Sequence, residues 1–202
     1  PNKRLALISG LLMGVIALEI LVTSVISFWT RPTLVNRLEN PRWIIDDRYV
    51  PRGEILDRRD RVIVTNSGQP GTFERVNHHV PLYPVIGYTN ATYGQTGLEA
   101  SLFNILRGVS GTPFSNQFIQ DLLYNQPPKG LDVRLTLDLD LQQQADLLLA
   151  DALSEDEGGA IVLMNAQSGE ILVMSSHPYF DAANLDAAWD VLSEDPTAPL
   201  LN

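Results

Sequence analysis

The 202-residue chain is 45% hydrophobic and 19% charged, so it has the apolar content to fold around a core, and its length allows one or two compact domains. Lys+Arg 14 against Asp+Glu 24 gives a formal net charge of −10, which argues against phosphate-backbone binding as the main task, so no nucleic-acid partner is expected. Cys 0 excludes disulfides, thiolate nucleophiles and cysteine-ligated metal clusters.

The first predicted element is a run of 25 residues, Leu5 to Trp29, with Glu19 as its single ionisable group. About 20 apolar residues cross a hydrocarbon core of ~30 Å, so the run is long enough to span a membrane. A signal-peptide core is shorter, about 7–15 residues, and ends at a small-residue cleavage site. Here Phe28 and Trp29 close the run, where interfacial aromatics would sit. Lys3 and Arg4 precede the span and Arg31 and Arg37 follow it, so loop charge alone barely sets the orientation. The long polar part that follows favours a single-pass protein of the cytoplasmic membrane with its bulk on the outer side. Pro1 is not an initiator Met, which leaves room for a longer N-terminus. A carboxylate at mid-span, as at Glu19, is either protonated or faces a protein partner such as a second membrane helix.

Charge divides the remainder. Arg31 to Arg75 holds nine basic and seven acidic residues, whereas Val76 to Asn202 holds three basic and sixteen acidic. Two modules with different surfaces follow from this, the basic one nearer the membrane.

Arg52 to Thr65 reads as two short strands around the Asp57-Arg58-Arg59-Asp60 turn, with interleaved charges able to pair or to remain a solvated tip. Ser67 to Pro84 lacks periodicity and reads as loop with short extended pieces. Its adjacent His78 and His79 would point to opposite faces and are poorly placed to share a metal. Thr96-Gly97-Leu98-Glu99 matches a capping box opening a helix whose stripe is Leu98, Leu102, Ile105 and Leu106, with Gly108 as its stop; Glu99 is then a capping residue.

Asp132 to Asp138 alternates as a half-buried strand, and Asp140-x-x-Gln143 resembles a second capping box. The helix it opens carries Leu141, Ala145, Leu148, Leu149 and Ala152 as its apolar stripe. Ala160–Met164 and Glu170–Met174 are nearly continuous apolar runs, as in strands covered on both faces. The Glu155-Asp156-Glu157 cluster reads as a solvated loop rather than a Ca²⁺ site, and no metal site or cofactor is expected. Ser175, Ser176 and His177 are neighbours in a strand and face alternate ways, so they make a poor nucleophile–base pair.

Three blocks, taken in order behind the apolar run, resemble the class B penicillin-binding proteins. Arg52-Gly53-Glu54-Ile55-Leu56-Asp57-Arg58 is similar to that family's R-G-x-I-x-D-R stretch, and Tyr93-Gly94-Gln95-Thr96-Gly97-Leu98-Glu99 to its G-L-E block. Gly159 to Val162 and Ser168 to Asp181 resemble the opening strands of its transpeptidase domain, and Leu135 to Leu153 the segment leading into it. Departures are local: Arg59-Asp60 stands where the family often has Asn-Gly, Ala166 where it has Pro, and Ala183-Asn184 where it has Pro-Asn.

The resemblance implies an α+β architecture with one N-terminal transmembrane helix, a small membrane-proximal pedestal domain and the opening strands of a transpeptidase domain. The implied boundaries are 1–30 for the stub and anchor, 31–131 for a reduced, dimerisation-like pedestal, and 132–202 for the linker and incomplete transpeptidase start. Arg52, Gly53, Asp57, Arg58, Gly97 and Glu99 are then structural or partner-contacting residues, and Glu19 a contact to a membrane glycan polymerase of the SEDS glycosyltransferase family. Peptidoglycan stem peptides and β-lactams are the partners implied for the complete protein.

The family's chemistry uses S-x-x-K, S-x-N or S-D-N, and K-T-G, in which Ser attacks an acyl carbonyl and Lys assists. None of these occurs here: the two lysines are Lys3 and Lys129, and neither lies three residues after a Ser. No catalytic residue is therefore assigned within the chain. In the family the S-x-x-K serine comes shortly after a segment similar to Pro199-Leu200-Leu201-Asn202, so the serine is expected on polypeptide beyond it. The alternative is a non-catalytic, membrane-anchored scaffold that regulates a polymerase.

Overall fold

The computed structural model describes residues 3–35, 48–90, 92–108, 130–154, 157–195 and 200. Trp43, Lys129, Glu155, Asp156 and most of Pro199–Asn202 lie outside the described residues. The chain separates into two compact units, Pro1–Asn40 and Pro41–Asn202.

The first unit is one long helix, α1 (Lys3–Val35). Within it, Leu7–Ile26 has a mean hydropathy of 2.1 and buries none of its side chains in the protein, so it is long and apolar enough to cross a membrane. Glu19 is exposed on this helix, and Thr23 Oγ1 donates to its backbone carbonyl at 2.5 Å.

The second unit starts from the pair of strands expected around the charged turn. β1 (Ile55–Leu56) pairs antiparallel with β2 (Val62–Ser67), and β2 with β3 (Glu74–Asn77). Asp60 has φ 61°, the left-handed conformation that an Asp tolerates and that a glycine would adopt freely. This accounts for Asp60 standing where the family often has Gly. The stretch read as loop is more ordered than its composition suggests: β3 is followed by a 3-10 turn (Val80–Leu82) and by α2 (Tyr83–Ile86), a helical turn with Pro84 near its start. Leu82, Val85 and Ile86 are buried there, which supplies the ordering free energy that local propensity lacks.

After α2 come a short hairpin, β4 (Thr89–Asn90) with β5 (Gly94–Gln95), then α3 (Gly97–Ser101) and α4 (Phe103–Leu106). The expected single helix is broken at Leu102, with φ −98° and ψ 11°, and Gly108 ends it at φ 70° as anticipated. β6 (Val133–Arg134) joins β1 in parallel and completes a sheet ordered β3-β2-β1-β6. Only two residues of the expected strand pair, yet the alternation holds: Val133, Leu135 and Leu137 turn inward. The principal core comprises Ile55, Ile63, Val64, Leu82, Val85, Ile86, Leu106, Leu137 and Leu139.

α5 (Leu139–Ala152) is capped by Asp138 rather than by Asp140. The extended Asp138 accepts from the Asp140 N–H at 3.1 Å, and the Asp140 carboxylate turns instead to Arg59 and Arg61. The buried face of α5 is Leu139, Gln142, Ala145 and Leu149, whereas Leu148 is exposed, so the helix is rotated from the purely apolar stripe. Gln142 causes the rotation. It donates to Met174 O and accepts from Met174 N, taking an inward position that a count of apolar residues does not assign to it.

β7 (Gly159–Met164) and β8 (Ile171–His177) form an antiparallel pair. Asn165 Oδ1 accepts from the Gln167 N–H at 2.9 Å, so a side chain shapes the turn in which Ala166 stands for the family's Pro. Asp181 does the same for the Ala183 N–H at 2.9 Å, ahead of α6 (Leu185–Glu194). The strands are not covered on both faces. Val173 and Ser175 of β8 are buried, but Val162 and Met164 of β7 are 60% and 59% exposed. The reason is position: α5 packs mainly on β8 and its end reaches β7 only near Gly159, where Leu149 and Leu153 lie close.

Candidate functional site

Arg52 and Glu99 come from segments 47 residues apart and meet in the interior. Their side chains are 4% and 1% exposed, with Arg52 Nη2 at 3.0 Å from Glu99 Oε2. Arg52 also donates to Glu99 O and to Thr89 Oγ1, and its guanidinium lies 5.6 Å from the centre of the Phe103 ring. Arg75 Nε donates to Glu99 Oε1 at 2.7 Å, Arg75 Nη1 to Asn66 Oδ1, and Asn66 Nδ2 to Arg52 O at 2.6 Å. A closed circuit results: Arg52, Glu99, Arg75, Asn66 and back to Arg52. Glu99 is therefore not a helix cap. Thr96 stands at the N-cap, but its hydroxyl accepts from the Tyr88 N–H at 3.3 Å while Glu99 faces the two guanidinium groups. Buried guanidinium groups demand a carboxylate more strongly than an exposed N–H demands a cap.

Gly53 and Gly97 let the backbones close around this pair. A Cβ on Gly53 would collide with the Leu131 carbonyl, and the Gly53 N–H donates to Leu106 O at 2.7 Å. Gly97 has φ +58°, and a Cβ there would stand 2.7 Å from the Val85 oxygen and from the Gly87 nitrogen. Four of the sequence-predicted residues thus belong to one construction.

Asp57 and Arg58 belong to a second one. Asp57 is wholly buried and accepts from the N–H groups of Arg59 and Arg61 at 2.7 and 2.9 Å, and from Arg61 Nε at 2.8 Å. Burial pushes its carboxyl upward, but those bonds, led by the Arg61 N–H and guanidinium, outweigh it and hold the group below the usual aspartate value. Arg61 also reaches Asp140, and Arg59 reaches Asp138 and Asp140, so the charged turn is pinned to the start of α5. Arg58 is half-exposed, its N–H donates to Leu137 O, and its guanidinium lies 3.9 Å from Glu170. Glu19 is on α1, in the other unit.

One polar cluster escaped the sequence reading. Asp146 of α5 receives His79 Nε2 at 2.7 Å, Ser175 Oγ at 2.5 Å and Gln142 Nε2 at 3.0 Å. Ser175 is thereby turned toward Asp146, and His79 meets the same carboxylate from a third segment, while His78 is exposed. The available signal was the i, i+4 spacing of Gln142 and Asp146 beside the apolar stripe. The cluster clamps elements together: Asp146 lies between the serine and the histidine, so the imidazole is not aligned on the hydroxyl as in a Ser–His pair.

Truncation of Glu99 to Ala leaves the buried Arg52 and the partly buried Arg75 without their carboxylate, and is expected to lower unfolding stability by about 3–5 kcal/mol in urea titrations of the detergent-solubilised chain. Asp57 contributes stability that is present above the usual aspartate value of 3.8 and is lost as pH falls through its lowered folded value. Asp57→Asn is therefore expected to destabilise the protein at neutral pH, with the gap from wild type closing as the same titrations are repeated toward about pH 3.

A family description, the penicillin binding protein A dimerisation domain, matches residues 52–133, the stretch that holds the Arg52–Glu99 circuit and the Asp57–Arg61 turn. The peptidoglycan D,D-transpeptidase PbpA of Mycolicibacterium smegmatis is 27% identical over 213 residues, covering 100% of this chain and 43% of its own length. Stage V sporulation protein D of Bacillus subtilis is 35% identical over 126 residues, 56% of this chain and 18% of its own. Among solved structures, penicillin-binding protein A from M. tuberculosis, as an imipenem acyl-enzyme complex, superposes with a TM-score of 0.63 at 26% identity. That match covers 78% of this chain and 38% of the other. The chain spans less than half the length of these relatives. The chain is similar over its whole length to the N-terminal portion of the class B penicillin-binding proteins, and residues 52–133 match their dimerisation domain.

Proposed function

We propose that this polypeptide is the tether, the pedestal and the opening strands of a membrane-anchored peptidoglycan D,D-transpeptidase, which cross-links stem peptides through a serine acyl-enzyme in cell-wall synthesis. The observation that carries the reading is the match of residues 52–133 to a penicillin-binding protein dimerisation domain, with the structural likeness running on over 78% of the chain. Residues 1–30 are the cytoplasmic stub and anchor, 31–131 the pedestal, and 132–202 the linker and start of the transpeptidase domain. The length and hydropathy of Leu7–Ile26 support the anchor, with the bulk of the chain outside the cytoplasmic membrane. The chemistry needs a serine nucleophile and an assisting lysine, which the relatives' additional length has room for, and it needs no metal or cofactor. β-Lactams trap the same acyl-enzyme.

Glu19 is the contact to a membrane partner, a SEDS-type glycosyltransferase. A carboxyl group exposed on a helix of this hydropathy loses several kcal/mol in hydrocarbon unless it is neutral or finds a hydrogen-bonding partner.

Fluorescent penicillin is expected to label the complete gene product covalently and to leave this 202-residue chain unlabelled. Labelling of the 202-residue chain, or a complete product that takes no label, overturns the reading; the second result favours the scaffold. Replacement of Glu19 by Leu is expected to reduce the glycosyltransferase recovered with the affinity-purified protein several-fold, and unchanged recovery removes the proposed contact.

A further inference from the structure

The second core of the protein joins two stretches far apart in the sequence. Tyr83 and Tyr88, on either side of the α2–β4 connection, meet Phe180 and Leu185 at the start of α6, and all four are buried. Phe180 stacks on Tyr83 at 5.9 Å and presents its ring edge-to-face with Tyr88 at 6.0 Å. At the rim of this core Tyr93, in the turn of the β4–β5 hairpin, stacks on Trp189 with ring centres 3.9 Å apart and planes 14° from parallel. Asn90 Nδ2 of the same hairpin donates to Asp186 Oδ1 at 3.1 Å. Asp186 and Trp189 are three residues apart on α6, so they share a face, and the hairpin grips that face at two points.

The place of α6 gives this grip its meaning. The hairpin lies inside residues 52–133, the dimerisation-domain match, and α6 lies beyond it. Partly buried Leu200, packed on the same core, belongs to the segment that in the family runs shortly ahead of the acylating serine. Among the described residues α6 is the last helix, and Leu200 follows it on the same core.

We propose that Tyr93 and Trp189 are positioning residues: their stack fixes α6 on the hairpin and so sets the point from which the polypeptide bearing the acylating serine departs. The inference rests on the transpeptidase reading above. Two flat rings in near-parallel contact resist tilt and slide in a way that aliphatic contacts do not, and attack by a serine is sensitive to displacements of about 1 Å. The buried Phe180–Leu185 core persists without the stack, so the two functions separate: the core holds α6 to the module, and the rim sets its angle.

The test uses the complete membrane protein and the second-order rate of acylation by fluorescent penicillin, with thermal unfolding measured in parallel. Tyr93→Ala and Trp189→Ala are each expected to slow acylation about tenfold, by more than any loss of folded protein accounts for. The double variant is expected to be no slower than either single one, because both remove one contact, and Trp189→Phe to recover the rate to within about twofold of wild type. Single variants that acylate at the wild-type rate, rates that fall only with the folded fraction, or losses that multiply in the double variant each overturn the proposal. A wild-type protein that takes no label overturns the transpeptidase reading and this inference with it, whereas a labelled wild type with unaffected variants overturns the joint alone.

Discussion

The architecture of the second unit depends on one buried pair of opposite charges. Arg52 and Glu99 have almost no contact with water, and a carboxylate or guanidinium taken from water costs several kcal/mol unless its partner is well placed. Such a pair adds little net stability compared with apolar residues of similar volume, but it tolerates few alternative arrangements. Register is what it supplies here. It ties the chain entering β1 to α3, and through Arg75 and Asn66 it fixes the far end of the β2–β3 hairpin as well. Each member of the pair has a glycine close by in sequence, Gly53 and Gly97, and those glycines allow the backbones to approach closely enough for the charges to meet.

Much of this was legible in the sequence, for physical reasons that differ from element to element. The apolar run of α1 and the strands around the charged turn declare themselves by composition and alternation, which are local properties. At Asn165 and Asp181 the turns are held by side chains instead, a carboxamide accepting the Gln167 N–H and a carboxylate accepting the Ala183 N–H, a donor that proline lacks. The failures share a cause. Glu99 and Asp140 read as caps from their immediate neighbours, and each is in fact oriented by partners between 24 and 81 residues away; Gln142, outside the apolar stripe, is oriented by Met174, 32 residues on. Ser67 to Pro84 reads as loop because the order at its end, where α2 begins, comes from burial against distant segments. Apolar periodicity cannot register a polar side chain that is drawn inward by a strand it has not yet met.

The segments after residue 133 are joined to the module before it by contacts of three chemical kinds. Guanidinium and carboxylate groups bind the β1–β2 turn to the head of α5, the Asp146 cluster binds α5 to His79 and to β8, and aromatic rings bind α6 to the β4–β5 hairpin. Contacts spread over three sites resist rotation about any single one. Elements connected in this way pass the orientation of one set to the other.

β7 carries a different lesson. Among the described residues its outer side has no strand partner, and Val162, Leu163 and Met164 are all more than two-fifths exposed. A bare hydrophobic strand margin is adhesive toward other chains, and natural sheets usually blunt it with charge or proline. Gly159–Met164 contains neither. Clumping through these six residues is thus the hazard that the sheet carries wherever this margin stands uncovered.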